Sequence, residues 1–173
     1  SGGRRILLGN LHNRASVRVA SGTSLTVANP EGLRLRQSVG EIAVSEGGSL
    51  VAEGGLFQVS GGVLGQGIYV ENGTVDIDGT QVTGTVSVAG TEGQLLRQLS
   101  PALTLRIHGG SPGLGHAWLR AAIGAVNAGT LLLESSFAGW ASELYTAPGQ
   151  VLENTATGRI RSALGSGGRR VAT

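Results

Sequence analysis

Hydrophobic and polar positions alternate in short runs through the first half of the chain, and glycine or asparagine separates the runs. Arg18 and Thr26, for example, each stand between two apolar residues. Alternation with a period of two is typical of half-buried β-strands. The residues predicted to point inward are Val17, Val19, Leu25, Val27, Leu33, Leu35, Ile42, Val44, Phe57, Val59, Ile68, Val70, Val75 and Ile77.

The strand pattern recurs at a spacing of about 25 residues. The turn and strand at residues 22–27 have counterparts at 47–52 and 72–77, and series beginning at Ser16 and Leu33 share the period. Three interleaved series predict a mainly β fold with a short parallel β-solenoid, three coils of about 25 residues. A β-sandwich or jelly roll remains the alternative, because closely spaced short strands also describe those folds.

The pattern is expected to end at Gly90, apart from one further strand at residues 103–107. Residues 116–128 carry small residues every fourth position, at Ala117, Ala121 and Ala125, which predicts a helix. Apolar residues from 137 to 145 also have helix-like spacing. These features predict a C-terminal α/β packing or capping region, which the end of a solenoid requires.

The predicted organisation has four parts. Residues 1–15 form an N-terminal arm, 16–90 the solenoid, 91–150 the capping and oligomerisation region, and 151–173 a Gly/Arg-rich C-terminal arm. The sequence SGGRR occurs in both arms. Arms of this composition are expected to be disordered alone and to become ordered on a neighbouring subunit.

Composition excludes several classes of site. The absence of cysteine excludes disulfides and thiolate metal sites, and the absence of lysine excludes a Walker-type nucleotide site. The net charge is only +2 and the arginines are dispersed, so no nucleic-acid partner is expected. The longest near-apolar run, residues 121–133, is too short to span a bilayer. No cofactor is predicted.

Two groups of residues offer candidate chemistry. Asp76 and Asp78 share the outward face of a predicted strand, where paired carboxylates can serve glycoside hydrolysis or bind Ca²⁺. A solvated strand face before an Asp-Gly turn is the favoured interpretation. His108, Ser111 and His116 surround a glycine-rich loop, but the sequence shows no orienting acid or nucleophile elbow. We therefore expect no catalytic or metal site and no enzymatic activity.

Residues 65–79, GQGIYVENGTVDIDG, carry glycine corners between alternating β-branched residues. This stretch resembles coils of secreted bacterial β-helix proteins, such as autotransporter and haemagglutinin-like passengers, and of phage tail fibres and spikes. The resemblance implies a class of architecture, and the expected location is extracellular or virion. The expected function is a non-enzymatic structural component of an extracellular assembly, foremost a phage virion protein of the tail fibre or spike type acting in assembly or host attachment. The alternatives are a secreted bacterial adhesin passenger or filament subunit, and a polysaccharide-binding or -cleaving β-helix.

The second half holds a group of large aromatic residues in a chain that is only 3% aromatic. Tryptophan and tyrosine are enriched at the centres of protein interfaces. We therefore predict that the chain forms a homo-oligomer, with a trimer as one option, and the alternative is that these side chains fill the local core. Other assembly subunits and cell-surface glycans are the further expected partners. The candidate interface residues are Trp118, Phe137, Trp140 and Tyr145.

Overall fold

The computed structural model describes residues 2–28, 32, 34–110, 114–163 and 168–173. These residues form strands and turns without a helix, so none of them lies in a helix that could cross a membrane. The strands are β1 (Arg4–Leu8), β2 (Leu11–Asn13), β3 (Ser16–Val19), β4 (Ser24–Ala28), β5 (Arg34–Gln37), β6 (Glu41–Val44), β7 (Ser49–Glu53), β8 (Leu56–Val59), β9 (Val63–Leu64), β10 (Ile68–Glu71), β11 (Thr74–Ile77), β12 (Thr83–Leu95), β13 (Gln98–Leu99), β14 (Leu103–Gly109), β15 (Ala117–Ala121), β16 (Val126–Asn127), β17 (Thr130–Ser135), β18 (Ser142–Thr146), β19 (Glu153–Asn154), β20 (Arg159–Ser162) and β21 (Arg170–Ala172).

Every strand pairing within the described residues is parallel. Eighteen strands form one curled sheet, and β13, β16 and β19 form a second, smaller sheet. A β-sandwich or jelly roll requires antiparallel pairing, so that alternative is wrong. The mainly β prediction is confirmed, and the topology is compatible with a parallel β-helix.

The spacing of paired strands changes along the chain. Ser16 lies opposite Glu41 and Ser24 lies opposite Ser49, so the predicted period of 25 is confirmed for these two strand pairs, whereas Leu35 lies opposite Phe57, 22 positions further on. The next pass is shorter, because Leu50 lies opposite Ile68, only 18 positions further on. The expected equivalence of residues 47–52 and 72–77 is therefore wrong, and β11 pairs with β8 instead.

Parallel stacking continues beyond Gly90, where the sequence pattern was expected to end. β12 pairs with β14 and β15, and these strands continue through β17 and β18 to β20 and β21. The predicted helix at residues 116–128 is wrong, because β15 lies there. The prediction of helix-like structure at residues 137–145 is also wrong, because these residues form a turn and the start of β18. Further parallel strands thus replace the expected α/β region in the described residues.

The core consists of inward-pointing side chains stacked from one pass to the next. Leu35, Phe57, Val75 and Leu95 pair in succession and are fully buried. Such ladders form because equivalent residues on stacked parallel strands lie about 4.8 Å apart. The predicted inward set is confirmed: most are buried, three are half-buried against the core (Val17, Leu25 and Val44), and Leu33 lies outside the described residues.

Candidate functional site

A groove of about 850 Å³ runs along the outer face of the curled sheet. Its floor is built from outward-facing residues of consecutive strands. Tyr69 of β10 lies opposite Ser87 of β12, which lies opposite Arg106 of β14, and Leu132 of β17 follows. Parallel stacking therefore gathers into one line side chains that are far apart in the sequence.

Two turns line the same groove. Residues 45–48 connect β6 to β7, and residues 65–67 connect β9 to β10. By contrast, β12 runs without a break and pairs with both β9 and β10. The groove thus lies where two short strands per pass give way to one continuous strand. We call it the outer groove, lined by Ser45, Glu46, Gln66, Tyr69, Thr85, Ser87, Thr104, Arg106, Leu132 and Glu134 among others.

An ion pair fixes one end of the outer groove. Arg106 Nε donates a hydrogen bond to Glu134 Oε2, and both side chains are mostly buried. This hydrogen bond raises the pKa of Arg106 and lowers the pKa of Glu134 below its ordinary value of 4.5. The pair is therefore ionised at neutral pH and carries no net charge. The Arg106 Nη atoms have no hydrogen-bond partner within the described residues, so they remain free to donate.

A histidine supports the tyrosine of the groove. The His108 and Tyr69 rings lie 6.4 Å apart between centroids, with planes inclined by 31°. Burial lowers the pKa of His108 below its ordinary value of 6.5, and the nearby Arg106 lowers it further. The imidazole is consequently neutral at physiological pH and packs as an uncharged ring.

The same histidine contacts a serine but does not form a catalytic triad. The Nε2 atom of His108 lies 2.6 Å from Ser136 Oγ, while its buried Nδ1 has no partner within the described residues. A serine hydrolase needs an acid at that second nitrogen. Glu134, two positions before Ser136, is bound to Arg106 instead. Ser111, the serine singled out in the sequence, lies outside the described residues.

The paired aspartates are engaged by an arginine. Asp76 lies on the outer side of β11 but is only 3% exposed, so its expected exposure to solvent is wrong. Arg97 donates from Nε and Nη2 to the two Asp76 oxygens at 2.7 and 2.8 Å, and its Nη1 lies 2.7 Å from Asp78 Oδ1. Gln58 donates to Asp76 as well. These partners engage both oxygens of Asp76 and one oxygen of Asp78. The described residues contain no group of three potential metal ligands.

An exposed aromatic cluster lies on the other half of the sheet. Trp118 of β15 is 36% exposed and Trp140 is 41% exposed. His116 lies between them, with ring centroids 6.4 Å from Trp118 and 5.2 Å from Trp140, the latter edge to face. Phe137, 60% exposed, shares a turn with Trp140, whose N–H donates to the Phe137 carbonyl. We call these four residues the aromatic cluster.

The structure thus brings together three of the four predicted interface residues and places the fourth nearby. Tyr145 of β18 lies opposite Arg120 and is half-buried, while Glu143 of β18 lies opposite Trp118. The sequence analysis placed His116 beside the glycine-rich loop, at the start of the predicted helix, and did not include it among the candidate interface residues. Its position two residues before Trp118 was the available signal, because residues two apart on a strand share a face.

Comparison with known proteins matches this chain to no family model, no curated protein and no solved structure.

Proposed function

We propose that the chain is a parallel β-solenoid and a non-enzymatic structural component of an extracellular assembly, such as a phage fibre or spike. Its copies associate with one another through the aromatic cluster. The solenoid is supported by parallel pairing that continues from β3 through β6, β9, β12, β14 and β17 to β20. Stacked coils of this kind form stiff rods, which suit structural roles.

The exposure of the aromatic cluster carries the proposal of self-association. Both tryptophans of the chain belong to the cluster, and both lie on the surface instead of in the core. Tryptophan contributes large contact areas and dominates binding energy at interfaces. Glu143 and Arg120 flank the cluster on β18 and β15, which matches the polar rim that surrounds an interface core.

Replacing Trp140 with alanine tests this proposal. Trp140→Ala should dissociate the oligomer, because it removes a large apolar surface that contacts the neighbouring copy. Light scattering coupled to size-exclusion chromatography measures the mass, and circular dichroism should show an unchanged β spectrum. Ile123→Ala is the matched control, since Ile123 is 78% exposed but lies outside the cluster.

The proposal fails if the wild-type chain is a monomer at high concentration. It also fails if Trp140→Ala keeps the wild-type mass. Should Trp140→Ala unfold the chain, Phe137→Ala provides the second variant, since Phe137 is the most exposed member of the cluster. A folded Phe137→Ala variant with the wild-type mass would then count against self-association through this surface.

A further inference from the structure

We infer that the outer groove binds a neutral oligosaccharide in an extended conformation. This inference concerns a different surface from the aromatic cluster and does not depend on self-association. It gives the expected glycan partner a defined location, on strands β10, β12, β14 and β17.

The lining of the outer groove is rich in groups that both donate and accept hydrogen bonds. Ser45, Thr85 and Thr104 supply hydroxyls, and Gln66 supplies an amide. A hydroxyl is one donor and two acceptors, so it can match another hydroxyl in either direction. A sugar presents many such hydroxyls, and the aliphatic side chains of the described lining are limited to Val44 and Leu132.

The charges of the groove favour a neutral ligand over a polyanion. Its one lining arginine, Arg106, is already neutralised by Glu134, and Glu46 adds a further negative charge. Binding of a polyanion relies on several unpaired cationic groups. The ion pair instead offers planar, charge-assisted hydrogen bonding, with the Nη donors of Arg106 beside the Glu134 carboxylate. Two adjacent hydroxyls of one sugar ring can therefore bind the Arg106 donors and the Glu134 carboxylate at the same time.

The outer groove also contains an aromatic ring. Tyr69 is half-buried and is supported on one side by His108. A ring held in this way can pack its face against the C–H face of a pyranose without losing conformational freedom on binding. Tyrosine adds a hydroxyl to the same contact, so the side chain serves both the apolar and the polar faces of a sugar.

The length of the groove indicates an oligomer. Its lining residues come from five consecutive passes of the chain, from the turn at residues 45–48 to Glu134. With about 4.8 Å between stacked strands, five passes extend over roughly 19 Å. Several sugar units fit along this length, so a hexasaccharide should bind more tightly than the corresponding monosaccharide.

Titration calorimetry with defined saccharides tests the inference. The probes are neutral hexasaccharides of glucose, mannose, galactose and N-acetylglucosamine, with hexagalacturonate as the anionic comparison. At least one neutral hexasaccharide should bind, and Tyr69→Ala should weaken its binding about tenfold or more, because the substitution removes the aromatic ring that packs against the sugar. Tyr145→Ala is the matched control, because Tyr145 does not line the groove.

The inference is overturned if no neutral hexasaccharide binds at millimolar concentration, if hexagalacturonate binds best, or if Tyr69→Ala binds as well as wild type. If Tyr69→Ala loses its β spectrum, Thr104→Val takes its place and should weaken binding by removing a lining hydroxyl. Trp140→Ala should retain saccharide binding. Failure of the self-association proposal can therefore be distinguished from failure of the saccharide-binding inference.

Discussion

At the scale of single residues, glycines allow the turns of successive passes to touch. Gly40 has a φ of +81°, and a Cβ atom there would overlap the carbonyl oxygen of Ala15 in the preceding pass. Gly124 has a similar φ of +74°, yet no atom lies within 4 Å of its Cβ position. Comparing substitutions at these two glycines therefore distinguishes the free-energy cost of the left-handed backbone conformation from the cost of the close contact with the preceding pass.

Alanine substitutions at these two glycines should differ in their effect on stability. Both variants force an L-residue into the left-handed region, which costs on the order of 1 kcal/mol. Gly40→Ala must also displace backbone, which adds about 1–3 kcal/mol because a carbonyl cannot rotate away as a side chain can. Urea unfolding measures both free energies. Equal losses for Gly40→Ala and Gly124→Ala would show that the turns do not stack as tightly as described.

Two glutamates face each other on neighbouring strands. Glu53 of β7 lies opposite Glu71 of β10, and Arg4 pairs with Glu53 at 3.3 Å. Burial raises the pKa of Glu71 above its ordinary value of 4.5, and the charge of Glu53 raises it further. The folded protein therefore holds this proton more tightly than the unfolded chain does.

Neutralising Glu71 should stabilise the protein at neutral pH. The stability linked to the Glu71 proton is fully present below pH 4.5 and is lost as the pH rises through the folded pKa. Like charges directly opposite on paired strands cost about 0.2–1 kcal/mol, so Glu71→Gln should gain a similar amount at pH 7. The gain should vanish below pH 4.5 in urea unfolding across a pH series. The exposed Glu92→Gln is the control, and a gain independent of pH would contradict the interpretation.

At the scale of strands, the sequence predicted what depends on alternation and missed what depends on turn length. Inward positions were predictable because a strand buries every second residue. The spacing between paired residues was predictable only where it stayed at 25. Strand pairing fixes the register of a strand, but it does not fix the length of the turn that precedes the strand. Tyr69, Ser87 and Arg106 follow at 18 and 19 positions, so the outer groove could not be found with a period of 25.

The error in β15 has a similar origin. Ala117 and Ala121 are four positions apart, which fits one face of a helix and also one face of a strand. The residues between them distinguish the two structures: Trp118 and Arg120 are exposed while Leu119 is buried, which is the alternation of a strand. The aromatic cluster was found in part because aromatic residues are rare, yet only the pairing of β15 with β18 places Trp118 near Trp140.

The two phenylalanines of the chain provide a test of the inner ladder. Phe57 of β8 is completely buried between Leu35 and Val75, while Phe137 is 60% exposed. Phe57→Ala should cost about 3–5 kcal/mol, because it leaves a cavity in the stacked core. Phe137→Ala should change the stability of the monomer by less than about 0.5 kcal/mol. Denaturant unfolding at low protein concentration compares them, and similar losses would contradict the assigned core.

At the scale of the whole molecule, the two surfaces occupy different strands. The outer groove lies on β10, β12, β14 and β17, whereas the aromatic cluster lies on β15 and the turn before β18. Both depend on the same stacking of passes, which buries the apolar ladders inside and repeats polar positions outside. One surface can therefore be altered by substitution while the other is kept.

Strands that pair are close together in the sequence, and this has a consequence for the order of folding. Within the described residues, the paired positions are between 18 and 29 residues apart, from Leu50 with Ile68 to Thr130 with Arg159. The entropy lost in closing each loop is therefore nearly the same for every pass, since it grows only with the logarithm of loop length. Each completed pass offers its edge as a template for the next one. The chain can thus fold progressively as it is synthesised, without waiting for distant segments, and the growing edge is the surface most prone to aggregation until the next pass covers it.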